Sequence, residues 1–325
     1  MASMKFLPLA FLSTFFPIVS LSAAEEILTK EPPIAITNSH GGFDFIEIDQ
    51  ANNRLLLPHS GNGTLDIVDS ASGRFIKSVP TGVAQDVAVD DKGGRYFVSV
   101  SKETKLVAVD SATLEIVGET PLSGPADIVA FDPQNGVAYV GHDDAAEVWA
   151  VDVNAKKVVA GITIPEGPEG IAVDGESHRI YANSKGGDAV VVIDPASNTA
   201  MASWPTAPAL KPHGSALDSK GRRLFVAGGN GKLVAIDLIS GKVVSSVEIA
   251  PRVDEIAYDS GLNRVYCASG SGVLSVVDAA GDLKLLGTVI TQKGAHSVAV
   301  DQKSHAVWIA YSGGKDAPGF IQKLK

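Results

Sequence analysis

Residues 168–194 read PEGIAVDGESHRIYANSKGGDAVVVID, one full copy of a pattern that the chain writes seven times. Its anchor is IAVD, ending at Asp174. Near-copies end at Asp49 (IEID), Asp90 (VAVD), Asp132 (VAFD), Asp218 (SALD), Asp259 (IAYD) and Asp301 (VAVD), in steps of 41 to 44 residues. A period of about 40–45 residues with four short strands per unit is the sequence mark of a β-propeller blade. The expected fold is therefore all-β, a seven-bladed β-propeller.

Within that stretch, residues 170–174 form an expected strand A, 179–182 strand B and 189–193 strand C. The outer strand D follows over 199–205, and residues 175–178, 183–188 and 194–198 form the turns. Runs of β-branched residues bounded by Gly, Asn, Asp and Pro are what short stacked strands require. The repeated aspartates that close strands A and C are expected to accept backbone N–H bonds in the turns, a structural role that needs no ligand. In the last unit, strands A, B and C fall at 298–300, 307–309 and 320–323. Residues 33–37 are positioned to donate the missing strand D, so that the blade takes one strand from the N-terminus and three from the C-terminus. Closure of this kind removes exposed sheet edges.

The first 24 residues read differently. Lys5 precedes an apolar stretch from Phe6 to Leu21 broken by Pro8 and Pro17, and Ser22-Ala23-Ala24 offers small residues for cleavage. That is a secretory signal peptide, too short and too interrupted for a membrane span. The expectation is a periplasmic or secreted protein whose single propeller domain covers 25–325. Across the 325 residues, Lys+Arg number 27 against 37 Asp+Glu, a formal charge of −10. This argues against nucleic acid and anionic membrane as partners. The lone Cys267 allows no intrachain disulfide, and its apolar neighbours read as core.

The units resemble the YVTN β-propeller repeats of exported bacterial proteins, the YncE-like members among them. The consensus Pro-x-Gly-Ile-Ala-Val-Asp matches Pro168 to Asp174, and Tyr-Val-Ala-Asn matches loosely at Tyr181-Ala-Asn183. Val-x-Val-Ile-Asp matches Val190 to Asp194, and Gly-Lys-Val-Val matches Gly241 to Val244. The resemblance extends over the whole chain after residue 24. It implies the fold strongly and activity hardly at all; a binding role is what it suggests.

Chemistry must therefore come from positions where the repeats differ. In a propeller the D–A and B–C connections crown one face. Five residues before each strand-A aspartate stand Asp44, Gln85, Asp127, Glu169, His213, Asp254 and His296. All are polar, and equivalent positions in a closed ring converge on the channel mouth. Converging carboxylates repel one another, which raises some of their pKa values or recruits a cation. Two histidines with a carboxylate suit zinc, iron or copper, and an all-oxygen subset suits calcium or magnesium. A water-lined channel with no ligand is the plainer reading, with Arg252 and Lys211 neutralising the acids. His40, His59 and His142 fall on the same face as peripheral candidates, the last two read as exposed loop residues. Trp149 and Trp308 read as packing, and Trp204 as an outer-rim residue.

No nucleophile elbow, phosphate loop or local metal motif occurs. Two functions stay open at this point. One is a non-catalytic, monomeric propeller that binds a protein or small molecule on the histidine-bearing face, with a divalent metal at its mouth. The other is a metal-assisted lyase or lactone hydrolase, with His213 or His296 as general base.

Overall fold

A computed structural model of the chain describes Met1, residues 27–315 and residues 317–325. Apart from Met1, the expected signal peptide lies outside the described residues. These fold into 28 strands with no helix, arranged as seven four-stranded antiparallel sheets. It is a seven-bladed β-propeller. In the fourth blade Pro168–Asp174 pairs with Arg179–Ser184, then Ala189–Asp194, then Thr199–Pro205. Strand B thus runs two residues into the expected Gly-rich turn.

The seventh blade closes as the sequence implies. Ser297–Val300, Val307–Ser312 and Gly319–Leu324 are joined by the N-terminal strand Ile34–Ala35, with Ile34 opposite Ile321 and Ala35 opposite Phe320. The contact extends beyond that short strand. Thr29 and Lys325 exchange backbone hydrogen bonds of 2.6 and 2.9 Å, and Glu31 N–H donates to Lys323 at 2.9 Å.

Apolar residues pack between blades rather than at a common centre. One such layer joins Phe225 and Leu233 of the fifth blade to Val265, Cys267 and Val277 of the sixth. Cys267 is fully buried there. Trp149 and Trp308 are buried, and Trp308 Nε1 donates to the Ser70 carbonyl at 3.1 Å. Trp204 lies near the end of the outer strand Thr199–Pro205 as expected and is half-buried there, its ring 5.5 Å from that of Tyr181.

The repeated aspartates do turn chemistry. Asp49 Oδ1 accepts from Ala51 and Asn52 N–H, and Asp259 Oδ1 from Gly261 and Leu262 N–H. Asp69, Asp152 and Asp237 do the same after strand C. Such bonds satisfy backbone donors locally, a structural role that needs no ligand.

In blades two to six the register of strand A against strand B slips near its start, for example between Pro168 and Ile171 and between Val253 and Ile256. A β-bulge leaves residues unpaired and re-aims their side chains. These bulges enclose Gln85, Asp127, Glu169, His213 and Asp254, five of the seven polar residues noted above, and in the last four blades of this group the residue after each as well.

Candidate functional site

The bulges gather much of that series around one carboxylate. Asp254 Oδ1 lies 3.2 Å from His213 Nδ1, and its Oδ2 lies 2.8 Å from His296 Nδ1. His213 Nδ1 is also 3.1 Å from Glu169 Oε2, and Lys185 Nζ donates to Glu169 Oε1 at 2.6 Å. Donor atoms of Asp44, Asp254 and His296 lie within 4.8 Å of one another, and so do those of Glu169, His213 and Asp254. Asp254 belongs to both sets. Asp127 stands in the field of Asp44 and Glu169. Gln85 is half-buried, and its contribution is a backbone carbonyl that accepts from Phe45 N–H at 3.0 Å.

The charges are unequal because the partners are. Burial, then the Asp254 charge, push the Asp44 carboxyl up to about 7, with His296 opposing. Burial, then Asp44 and Glu169, raise Asp127 well above the usual carboxylate range. Burial works against the ionised form of Asp254, but the two histidines outweigh it and hold that carboxyl well below its ordinary value. Burial likewise opposes the His213 imidazolium, and Asp254 with Glu169 overcome it, lifting His213 to about 9. His296 is raised for the same reason by Asp254.

These shifts set a pH dependence. The folded protein keeps a proton on Asp44 between about 4 and 7 that the unfolded chain has released, and on His213 between about 6.5 and 9. Wherever the folded state binds more protons, stability falls as pH rises. Metal-free protein is therefore expected to lose stability steadily from pH 6 to 9.5, with His213 accounting for about 2–3 kcal/mol of it. Urea midpoints measured across that range check the slope, and His213→Asn should flatten its alkaline half. A midpoint that rises with pH would contradict these shifts.

The peripheral candidates separate. His40 is exposed. His59 is no loop residue: it ends strand Arg54–His59, is fully buried, and sets Nδ1 2.6 Å from Asp66 Oδ2 beneath the Phe43 ring, 4.0 Å away. His142 ends strand Val137–His142 and stacks on Trp149 at 4.2 Å with only 15% of its side chain exposed. Both depart from the expected exposed loop because strand B extends to include them. Lys211 and Arg252 are exposed at the mouth and, among the described residues, form no ion pair. The cation that meets the ring is Lys185, from the B–C turn of the fourth blade.

A deeper set of acids escaped the sequence reading. Asp86 Oδ1 accepts from Val87 N–H at 2.7 Å and Oδ2 from Val129 N–H, in the next blade, at 2.8 Å. Glu255 Oε2 accepts from Val298 N–H at 2.7 Å, and its carboxylate also takes Ile46 N–H at 3.2 Å. Burial pushes Asp86 up to about 7 and Glu255 well above its usual range. Glu47 opens onto the channel yet is enclosed by the ring, and that burial pushes it up to about 7. The signal was available: both Asp86 and Glu255 occupy the consensus glycine position. Where the glycine is kept, as Gly170 and Gly214, a Cβ would sit 2.6 Å from the carbonyl oxygen of His213 or Asp254.

Two cavities follow from this arrangement. The channel, about 310 Å³, is lined by Glu47, Gln50, Asp86 and Glu255 among others. At the mouth a second space of about 400 Å³ is lined by Lys211, His213, Arg252, Asp254 and His296 with three glycines.

No family model matches the chain. It is 29% identical over 158 residues to the uncharacterized protein YncE of Salmonella typhimurium, a match covering 48% of this chain and 40% of that one. The corresponding Salmonella typhi protein is 28% identical over the same length and shares. The matched stretch is thus less than half of these relatives' length. The solved structure of hydrazine synthase from Kuenenia stuttgartiensis is similar in fold, with a TM-score of 0.75 over 87% of this chain and 96% of that one, at 16% identity.

Proposed function

Since these homologues and the seven-bladed ring fit a YncE-like β-propeller family, we propose that the protein is a non-catalytic binding propeller whose working face is the mouth built from the D–A and B–C connections, with a divalent cation at its ring. The observation that carries this is Asp254, shared between two histidines with Asp44 beside it. One imidazole and two carboxylates from Asp44, Asp254 and His296 make a mixed nitrogen–oxygen donor set suited to zinc, iron or copper more than to calcium. His213 and Glu169 stand behind it and orient the Asp254 carboxylate, the kind of outer support that metal ligands use.

The hydrolase or lyase reading is the weaker one. It needs a neutral histidine to accept a proton, whereas Asp254 favours the charged form of both His213 and His296. The protein acts after export, once residues 1–24 are removed. Among the described residues no helix is long and apolar enough to cross a membrane.

Protein exported from a Gram-negative host and purified without chelator tests this reading. Mass spectrometry is expected to give a chain starting at Glu25, and elemental analysis about one zinc, iron or copper per chain. The double variant His213→Ala, His296→Ala should lose that metal and weaken zinc binding at least a hundredfold by calorimetry. Wild-type protein that neither carries nor takes up zinc, copper, iron or calcium would leave the ring as solvated charge.

A further inference from the structure

The cavity at the mouth holds two cations that the ring does not use. Lys211 and Arg252 line it on adjacent blades, and both stand seven residues before the strand-A aspartate. Each has a left-handed backbone, with φ of 51° and 62°. In the fourth and seventh blades the same position is Gly167 and Gly294, at φ 53° and 88°. That region of backbone space favours glycine, and long side chains there are disfavoured. Backbone strain of this type concentrates at functional sites. Here two neighbouring blades accept it and place a positive side chain where the fourth and seventh blades carry glycine.

The rim beneath them is rigid. Lys211 N–H donates to Asp188 Oδ1 at 2.6 Å, and its carbonyl accepts from Gly229 N–H at 3.0 Å. Arg252 N–H donates to the Gly229 carbonyl at 3.1 Å, and its own carbonyl accepts from Gly270 N–H at 3.1 Å. The backbones are held from both sides while the charged ends stay exposed. Beside Arg252 the wall is bare: a Cβ on Gly270 would meet nothing closer than 3.9 Å, and its nearest neighbour would be His296 Cβ. That glycine leaves open space directly beside the ring.

We propose that this cavity binds a small carboxylate-bearing molecule, its carboxylate held by Arg252 and Lys211 and its remainder reaching the His213–Asp254–His296 line. The guanidinium fork matches a carboxylate in plane, and the lysine adds a point charge. A carboxylate is favoured over a doubly charged phosphate because Asp254 lines the same cavity, and its repulsion doubles with the ligand's charge. About 400 Å³ leaves room for a small carboxylate such as succinate, at the small end of ligand pockets. The inference deepens the cation-site reading and rests on it for the floor of the pocket, not for the carboxylate clamp.

Calorimetry with succinate and with inorganic phosphate, on zinc-loaded and on metal-free protein, tests it. Succinate is expected to bind wild-type protein, and Lys211→Ala, Arg252→Ala to weaken it at least tenfold while leaving zinc affinity within about twofold. Gly270→Val, which fills the wall, should weaken succinate without removing a charge. If zinc binds and succinate does not, or if the double variant keeps its succinate affinity, the inference falls and the cation site stands. If succinate binds through Lys211 and Arg252 while zinc does not bind at all, the cation site falls and the inference stands. Phosphate binding more tightly than succinate overturns the choice of carboxylate.

Discussion

Deleting residues 27–38 is expected to abolish the closed ring. The segment contributes far more than the two-residue strand Ile34–Ala35. Leu28 is 5% exposed and packs with Tyr266, Leu274, Val289 and Leu324 across the joint of the sixth and seventh blades. Ile36, 1% exposed, packs with Phe43, Ile48, Trp308 and Ile321 across the joint of the seventh and first. Removing a buried Leu or Ile side chain costs about 2–5 kcal/mol. Two such losses, with the backbone bonds to Gly319, Lys323 and Lys325, approach the whole stability of a typical domain, about 5–15 kcal/mol. The strand Gly319–Leu324 would also become an open edge, free to pair with another chain. Gel filtration and thermal melting should show unfolded or self-associated material. The point variants Leu28→Ala and Ile36→Ala should remain monomeric with lowered melting temperatures. A deletion that stays monomeric and melts with the full-length chain would sink the closure argument.

The fold was legible because it is written in spacing. Aspartates 41 to 44 residues apart mark the turn after each strand A, and turn chemistry acts locally, so one sequence reveals it. The mouth was legible for the same reason: a fixed offset from those aspartates names residues that a ring must bring together, and it does so for Asp44, Glu169, His213, Asp254 and His296. What offsets do not reveal is side-chain pairing, whether within a blade or across blades. Lys185 reaches Glu169 although Lys211 and Arg252 flank the ring in sequence. His59 has the sequence context of a loop residue, yet Phe43 and Asp66 arrive from other segments to close over it. Asp86 and Glu255 went unnoticed because their function is to meet N–H groups of neighbouring blades, and nothing within their own repeat calls for a carboxylate.

Glu255 offers the sharpest test of that last point. Its side chain joins three blades: the sixth through its own backbone, the seventh through Val298 N–H, the first through Ile46 N–H. Both partners are buried. Glu255→Ala would leave these donors without an acceptor at the seam where the ring closes, and each buried unsatisfied group costs about 1–3 kcal/mol. The expected loss is about 2–4 kcal/mol, measured by chemical denaturation at pH 7. Glu255→Gln separates geometry from charge. Burial raises the Glu255 pKa well above its usual value, so ionising it opposes folding and its contribution declines as pH rises. A glutamine keeps a carbonyl oxygen of the right reach and has no proton to lose. It should therefore be as stable as wild type near pH 4.5, where the unfolded carboxyl also keeps its proton, and more stable by a growing margin toward pH 9. If Glu255→Gln is as damaging as Glu255→Ala at both pH values, the seam depends on a carboxylate charge, and the inner acids do not act as the neutral acceptors that their burial implies.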